Sequence, residues 1–298
     1  MNNHPQTMSS SIFRFAALVL CVVFVGSNVG IGTAADGPPA GKSKGPLIEQ
    51  AAALRMALLS PDPAVRVEAV RALPHNAAAR LLRPELLAAL KDSNGEVREW
   101  AATVLGPQGA DAVDAVPQLI VQLQSDSVNK ARETAARALG RIGKATPTER
   151  RAIPALEKAA TDDADSVVRV VALGALALIE PDSRARIDAV AAYLTHADPL
   201  TRMKAAHSLG YLMEKAQSSG PAIARVLQQA TDPYQRGYVA RSLGQIGAKD
   251  QLPILLAEFD KETDPRSQGE MRGAIRRLGG VLPKTTAPNP TTPKPNTP

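Results

Sequence analysis

One short phrase recurs along most of this chain: an arginine, usually an alanine three residues later, and a leucine four residues after that, often followed by glycine. It occurs seven times, at intervals of 32 to 37 residues. The first six copies begin at Arg66, Arg98, Arg132, Arg169, Arg202 and Arg236. A seventh, weaker copy has Met271 in the position of the arginine. Such even spacing predicts a repeat architecture, in which each repeat is one small supersecondary unit.

Each copy has the periodicity of a helix that buries one face. In the fourth copy, Val168, Ala172 and Leu176 recur at intervals of four residues. An Asp or Asn four residues before the arginine, often followed by proline, predicts the start of this helix, because such side chains cap free N–H groups. The aspartates in this position are Asp62, Asp165, Asp198 and Asp232. Gly143 and Gly247 are predicted to end two of the helices as left-handed caps.

A second helical segment precedes each copy, and no stretch has the alternation of a β-strand. Apolar residues make up 44% of the chain and aromatic residues only 3%, so the core is expected to be aliphatic. One helix pair cannot cover its own apolar face, so neighbouring pairs must stack. The predicted fold is therefore all-α: an α-solenoid of about seven two-helix repeats over residues 47–281.

These motifs resemble the HEAT-repeat family, in particular the short HEAT-like repeats named for phycobilisome lyases. The resemblance rests on the Asp-Pro at the turn, the arginine, and the alanine and Leu-Gly that follow. It implies that the six arginines form a structural ladder with the turn aspartates, which are Asp62, Asp165, Asp198 and Asp232. The family includes adaptors as well as lyases and other enzymes, so the resemblance implies an architecture more than an activity.

The two ends of the chain have a different composition. Arg14 precedes the unbroken apolar run Phe15–Val25, and small residues lead to Ala35, which predicts a secretory signal peptide over residues 1–35. An uncleaved N-terminal helix that anchors the chain is the alternative. We expect residues 36–46 to be a flexible linker and the Pro/Thr-rich residues 282–298 to be a disordered tail. The predicted location is periplasmic or secreted.

Catalytic chemistry has few candidate residues. The only cysteine, Cys21, lies in the predicted signal peptide, and the histidines beyond it are His75, His196 and His207. Histidines this sparse do not make a metal-ligand set. We therefore predict a protein that is not an enzyme and has no metal or cofactor. A net charge of +6 is too mild to favour nucleic-acid binding.

The remaining candidate is a binding surface. On the helix that carries the arginine, positions two, five and nine residues later are predicted to point away from the core in one stripe. This stripe contains the only Trp and two of the four Tyr, with six basic residues and one acidic residue. The residues that we assign to partner binding are Trp100, Arg137, Arg141, Val171, Leu178, Lys204, His207, Tyr211, Tyr238, Arg241 and Arg276.

Aromatic and arginine side chains on an exposed face favour a protein interface. The sequence thus predicts a non-catalytic scaffold or adaptor that binds a protein or peptide in a concave groove. Basic flanks around an apolar centre favour a partner with acidic residues beside an apolar anchor. Two alternatives remain open: a lyase-like chaperone or enzyme subunit that holds a chromophore or small ligand, and a structural protein of the cell envelope.

Overall fold

A computed structural model describes residues 45–73, 77–146 and 150–282 of the chain. The predicted signal peptide at 1–35, nearly all of the linker at 36–46 and the tail from residue 283 onward lie outside the described residues. His75 lies outside them as well. The first helix begins at Gly45, two residues before the predicted start of the repeats.

The described residues form seven consecutive pairs of α-helices and contain no β-strand, which confirms the predicted all-α fold class. The first helices of the pairs are α1 (Gly45–Leu58), α3 (Arg83–Ala89), α5 (Val116–Ser125), α7 (Ile153–Asp162), α9 (Arg184–Ala192), α11 (Gly220–Gln229) and α13 (Leu252–Lys261). The second helices are α2 (Pro63–Arg71), α4 (Gly95–Leu105), α6 (Asn129–Ala145), α8 (Ser166–Ile179), α10 (Pro199–Gly210), α12 (Pro233–Gln245) and α14 (Pro265–Arg277). Short 3-10 segments connect several of them, the longest at Gly106–Ala115.

The chain divides into two compact units, which we call the N-terminal unit (residues up to Arg186) and the C-terminal unit (from Ile187). In the N-terminal unit, α2, α4, α6 and α8 pack side by side in chain order. In the C-terminal unit, α10, α12 and α14 do the same. Each unit is therefore a short α-solenoid in which every second helix packs against a neighbouring second helix. Six of the second helices also contact their own first helix, and α10 contacts the 3-10 turn Tyr193–Thr195 that precedes it.

The core is aliphatic, as its composition predicts. Among the described residues, the buried apolar side chains are those of Ala, Leu, Val, Ile and Met, with no aromatic ring among them. The largest fully buried side chains of the N-terminal unit include Leu105, Leu139 and Leu176, the leucines of the repeated phrase. The repeat thus supplies one fully buried leucine after another along the stack.

The glycine after the leucine permits close contact between second helices. A Cβ at Gly140 would lie 2.7 Å from Cα of Ala175 in the next second helix, and a Cβ at Gly244 would lie 2.7 Å from Cα of Ala274. Real Cβ atoms do not approach backbone so closely, so any larger residue would force the helices apart. The Leu-Gly motif therefore encodes the spacing of the stack.

Helix caps follow the local sequence at most positions. Asp62, Asp165, Asp198 and Asp232 each accept hydrogen bonds from backbone N–H groups in the first turn of the helix that they precede. Gly247 has φ +69°, as predicted for a left-handed cap. Gly143 is different, because it lies inside α6, where a Cβ would be 2.7 Å from Cγ1 of Ile179. That glycine is needed for close packing and does not end the helix.

Candidate functional site

The arginine of each repeat is held by backbone carbonyl groups at the preceding turn. In all six copies, Nη1 donates a hydrogen bond to the carbonyl oxygen six residues earlier. For Arg98 this bond, to Asp92 O, is 2.7 Å long, and a second bond reaches Ser93 O at 3.2 Å. These bonds fix the guanidinium plane and direct its other edge, Nε and Nη2, away from the turn.

Four of the six arginines bind a carboxylate of the next repeat through that edge. Nε and Nη2 donate to the two carboxylate oxygens at 2.6–2.9 Å. The pairs are Arg66–Asp92, Arg98–Asp126, Arg132–Asp163 and Arg236–Glu262. We call these four pairs the arginine ladder. Two parallel charge-assisted hydrogen bonds fix both the distance and the angle between neighbouring repeats.

The acids of the ladder differ from the predicted ones. The turn aspartates Asp62, Asp165, Asp198 and Asp232 cap helices, so their oxygens are already bound to backbone N–H groups. The ladder acid lies two residues before the cap residue. Its carboxylate also accepts a hydrogen bond from the backbone N–H of the cap residue, as Oδ1 of Asp126 does from Val128 at 2.9 Å. An acid recurs at this second position in the sequence, but its recurrence does not show which of two acids in one turn pairs with the arginine.

The seventh repeat also differs from its predicted register. Asp264 caps α14, so the arginine position, four residues later, is occupied by Gln268. Gln268 Nε2 donates to Glu262 O at 2.6 Å, which reproduces the backbone bond of the arginines. Met271, predicted in the arginine position, is fully buried in the core.

Charge pairing shifts the ionisation of the ladder residues. For Asp126, burial alone raises the pKa, but hydrogen bonds from Arg98 and from the Val128 N–H more than offset this, and the pKa is lowered. The hydrogen bonds from Arg236 are the largest cause that lowers the pKa of Glu262, which falls to about 2. The side chain of Glu262 is only 1% exposed. These carboxylates are therefore charged at neutral pH.

The predicted stripe of exposed residues is partly buried. Val171 is 6% exposed, Leu178 is 7% exposed and Lys204 is 8% exposed. The prediction assumed that each second helix buries only one face. In the structure the second helices also pack against one another through their flanks, which buries apolar residues nearly all round α8. The expected apolar centre of the stripe is therefore core.

In the N-terminal unit, the stripe residues make local contacts. The guanidinium carbon of Arg71 lies 5.5 Å from the ring centroid of the half-buried Trp100, in a cation–π contact. Arg137 Nη1 donates to Glu133 Oε1 at 2.9 Å, and Lys130 binds the other oxygen of the same carboxylate. Arg141 is half-buried. This face therefore keeps Arg71 and Arg137 in contact with groups of its own unit.

In the C-terminal unit, the stripe gathers aromatic rings. The ring centroid of His207 lies 4.8 Å from that of Tyr211 and 5.3 Å from that of Tyr238. Tyr234 lies 4.5 Å from Tyr238, and the guanidinium of Arg241 lies 5.0 Å from the centroid of Tyr238. We call these five residues the aromatic surface. Nε of Arg241 also binds Glu270 Oε2 at 2.7 Å, which links α12 to α14.

Two residues differ from the predicted set in this unit. Tyr234 was not predicted, although its spacing of four residues from Tyr238 was a usable signal, and it is 58% exposed. Arg276 is exposed on α14, and its Nε donates to the Arg272 carbonyl oxygen at 3.4 Å. It has no ring contact with the aromatic surface.

The described residues offer little for metal chemistry. Within residues 45–73, 77–146 and 150–282, no group of three or more His, Cys, Asp or Glu side chains is placed to hold a metal ion. In the same ranges, no helix has the length and apolar character that crossing a membrane requires.

Comparison with solved structures finds helical repeat proteins. The complex of CpcE and CpcF of phycocyanin lyase from Nostoc sp. PCC7120 matches with 20% identity and a TM-score of 0.49, over 84% of this chain and 99% of that chain. A mutant of Kap121p matches with 15% identity and a TM-score of 0.44, over 93% of this chain and 30% of that chain. No curated protein matches the chain.

Comparison with protein families gives a match over most of the chain. The model of HEAT repeats matches residues 51–114, 83–177, 153–223 and 187–276. Together these overlapping matches cover nearly all of the described helices. The stacked helix pairs, the Leu-Gly contacts and the arginine ladder agree with this match, and the chain belongs to the HEAT-repeat family.

Proposed function

We propose that this protein is a non-catalytic scaffold that binds a segment of another protein through the aromatic surface of its C-terminal unit. The observation that carries the proposal is the contact of four rings and one guanidinium on α10, on Tyr211 directly after it, and on α12. The chain has only four tyrosines, and three of them are in this surface. Tyr and Arg are enriched among the residues that dominate binding energy at protein interfaces.

The contacts within the aromatic surface support binding with a small entropy cost. His207 touches both Tyr211 and Tyr238, and Tyr238 lies between His207, Tyr234 and Arg241. Rings that already restrict one another lose little freedom when a partner arrives. The exposed Tyr234 offers a ring face for an apolar anchor, while tyrosine hydroxyls offer hydrogen bonds at the rim.

Charge supports a partner with acidic residues. The full chain has a net charge of +6, and removal of residues 1–35 takes away one positive charge, that of Arg14, so the mature protein keeps a net charge of +5 that attracts an acidic segment. Arg276 on α14 is an exposed cation of the same unit. The proposed partner therefore has an apolar anchor for the rings and acidic residues beside it.

We propose that the mature protein acts in the periplasm or outside the cell, after residues 1–35 direct its export. The sequence pattern of those residues supports this location. The intact mass of the protein purified from cells tests it. A mass that lacks residues 1–35 agrees with export and cleavage, whereas a full-length mass in the membrane fraction favours the anchored alternative.

The test of binding begins with a photo-crosslinking amino acid at position 234, which identifies the partner in intact cells. Binding of the purified partner is then measured by calorimetry. The double variant Y234A/Y238A should bind at least about tenfold more weakly, since aromatic anchors of interfaces each contribute more than 1 kcal/mol. The matched control is Y193A, which removes a tyrosine of the same unit outside the aromatic surface. Equal affinity of Y234A/Y238A and the unaltered protein would contradict the proposal.

A further inference from the structure

Arg202 is held in the same way as the ladder arginines. Its Nη1 donates to His196 O at 2.8 Å and to Ala197 O at 2.9 Å. Arg66 makes the equivalent bonds to Ser60 O at 2.9 Å and Pro61 O at 3.2 Å. The guanidinium of Arg202 is therefore fixed in the orientation in which the others bind a carboxylate.

The next repeat has no carboxylate at the ladder position for Arg202. The ladder acids stand two residues before the helix cap, and before the cap Asp232 this position is Ala230. Among the described residues, Arg202 pairs with no acid, and its Nε is buried without a hydrogen-bond partner. A buried donor of a charged group without a partner destabilises the protein. A carboxylate that reached this edge would remove that penalty.

We propose that Arg202 is a binding site for a carboxylate supplied by another molecule, in the position that Asp92, Asp126, Asp163 and Glu262 occupy in the ladder. The side chain is half-buried, so part of the guanidinium faces solvent. The ligand class is an Asp or Glu side chain, or the C-terminal carboxylate of a polypeptide. The guanidinium binds it through the Nε and Nη2 edge, as the four paired arginines do.

The proposed carboxylate site is separate from the aromatic surface. Arg202 and His207 are five residues apart on α10, which places them about 140° apart around the helix. A carboxylate at Arg202 therefore need not touch the tyrosines. The proposal can be true or false independently of the partner binding proposed above, and the Y234A/Y238A variant should retain it.

The direct observable is the NMR signal of the Arg202 Nε–H group, assigned by its loss in the R202K variant. Three blocked peptides serve as probes of the full-length protein. One is tetraglutamate with both ends capped, one is tetra-alanine with a free C-terminal carboxylate, and the control is capped tetraglutamine. A saturable shift with tetraglutamate indicates side-chain recognition, and a shift with tetra-alanine alone indicates recognition of a chain terminus. Tetraglutamine should cause none.

Two substitutions test the site through peptide affinity. A230D supplies a carboxylate within the chain and should weaken tetraglutamate binding about tenfold, and R202Q should do the same, because each removes a charge-assisted pair. The matched control A230S adds a polar group without charge and should leave the affinity unchanged. The proposal is overturned if neither carboxylate peptide moves the Arg202 signal. It is overturned equally if A230D and R202Q both bind the peptide as the unaltered protein does.

Discussion

The two units use the same repeat differently. In the N-terminal unit, Arg66, Arg98 and Arg132 each bind an aspartate of the following repeat. Arg169, the fourth arginine of this unit, is held by the carbonyl groups of Asp163 and Ala164 and is not one of the four ladder pairs. In the C-terminal unit, Arg236 binds Glu262, while Arg202 pairs with no acid among the described residues. Three of the four repeat arginines are therefore paired in the N-terminal unit and one of the two in the C-terminal unit. The same motif can join neighbouring repeats or leave a cation available for other contacts.

The two units also differ in their aromatic residues. The N-terminal unit has a single Trp100 under Arg71, whereas the C-terminal unit has four rings in contact around Tyr238. The groups suited to recognition therefore lie in the unit whose ladder is less complete.

Removal of a ladder arginine of the N-terminal unit should lower the free energy of unfolding far more than removal of Arg202, which is not in the ladder. In R98M, the nearly buried Asp126 loses its partner, so the free energy of unfolding should fall by about 3–5 kcal/mol. R202M leaves no carboxylate without its partner and should lower the free energy of unfolding by about 1 kcal/mol or less. Urea unfolding of both variants measures the difference. Equal losses would show that Arg202 has an acid partner in solution.

Acid should weaken the Arg236–Glu262 pair of the C-terminal unit in a defined pH range. Because the pKa of Glu262 is lowered from 4.5 to about 2, its stabilising contribution is complete above pH 4.5 and is lost as the pH falls towards 2. The loss is expected to be about 3 kcal/mol. Unfolding measured across this range should show a smaller decline for E262Q than for the unaltered protein. Parallel declines would mean that the pKa of Glu262 is ordinary.

A methyl group at the helix contact should separate the second helices. G140A places a Cβ 2.7 Å from Ala175 and should destabilise the protein by about 2 kcal/mol. The matched change is G269A in α14, where nothing lies within 4 Å of the added Cβ. In that variant the free energy of unfolding should rise by about 0.5–1 kcal/mol, because alanine has a higher helix propensity than glycine. Thermal unfolding compares them, and a neutral G140A would mean that the helices are further apart than described.

Completion of the ladder in the C-terminal unit should have the smallest effect. A230D offers Arg202 a carboxylate at the position of the other ladder acids and should raise the free energy of unfolding by about 1 kcal/mol. A230S is the control and should not stabilise the protein. Urea unfolding measures both. A destabilised A230D would indicate that the side chain at 230 cannot reach the guanidinium.

The local sequence was sufficient to predict the repeats and most helix starts, because caps such as Asp62 and Asp232 act within a few residues. It was not sufficient for the ladder, because Asp163 and Asp165 are both aspartates of one turn. Only the three-dimensional structure shows that Asp163 pairs with Arg132 while Asp165 caps α8. Pairing between repeats depends on packing that the sequence alone does not display.

Two other differences have the same origin. The seventh repeat was aligned three residues late, because a shift of three keeps apolar residues on one helix face and Gln268 does not look like an arginine. Val171 and Leu178 were predicted to be exposed, because a helical periodicity reports one buried face and not the flanks that neighbouring second helices cover. Periodicity thus predicted the helices correctly and predicted the exposed stripe only in part.

Hydrogen–deuterium exchange with and without the partner that crosslinks through position 234 locates the recognition surface on the molecule. The partner should slow exchange in α10 and α12 of the C-terminal unit and leave exchange in α2, α4 and α6 unchanged. Protection confined to the N-terminal unit would contradict this expectation, because the recognition surface would then lie in the unit whose ladder is more complete.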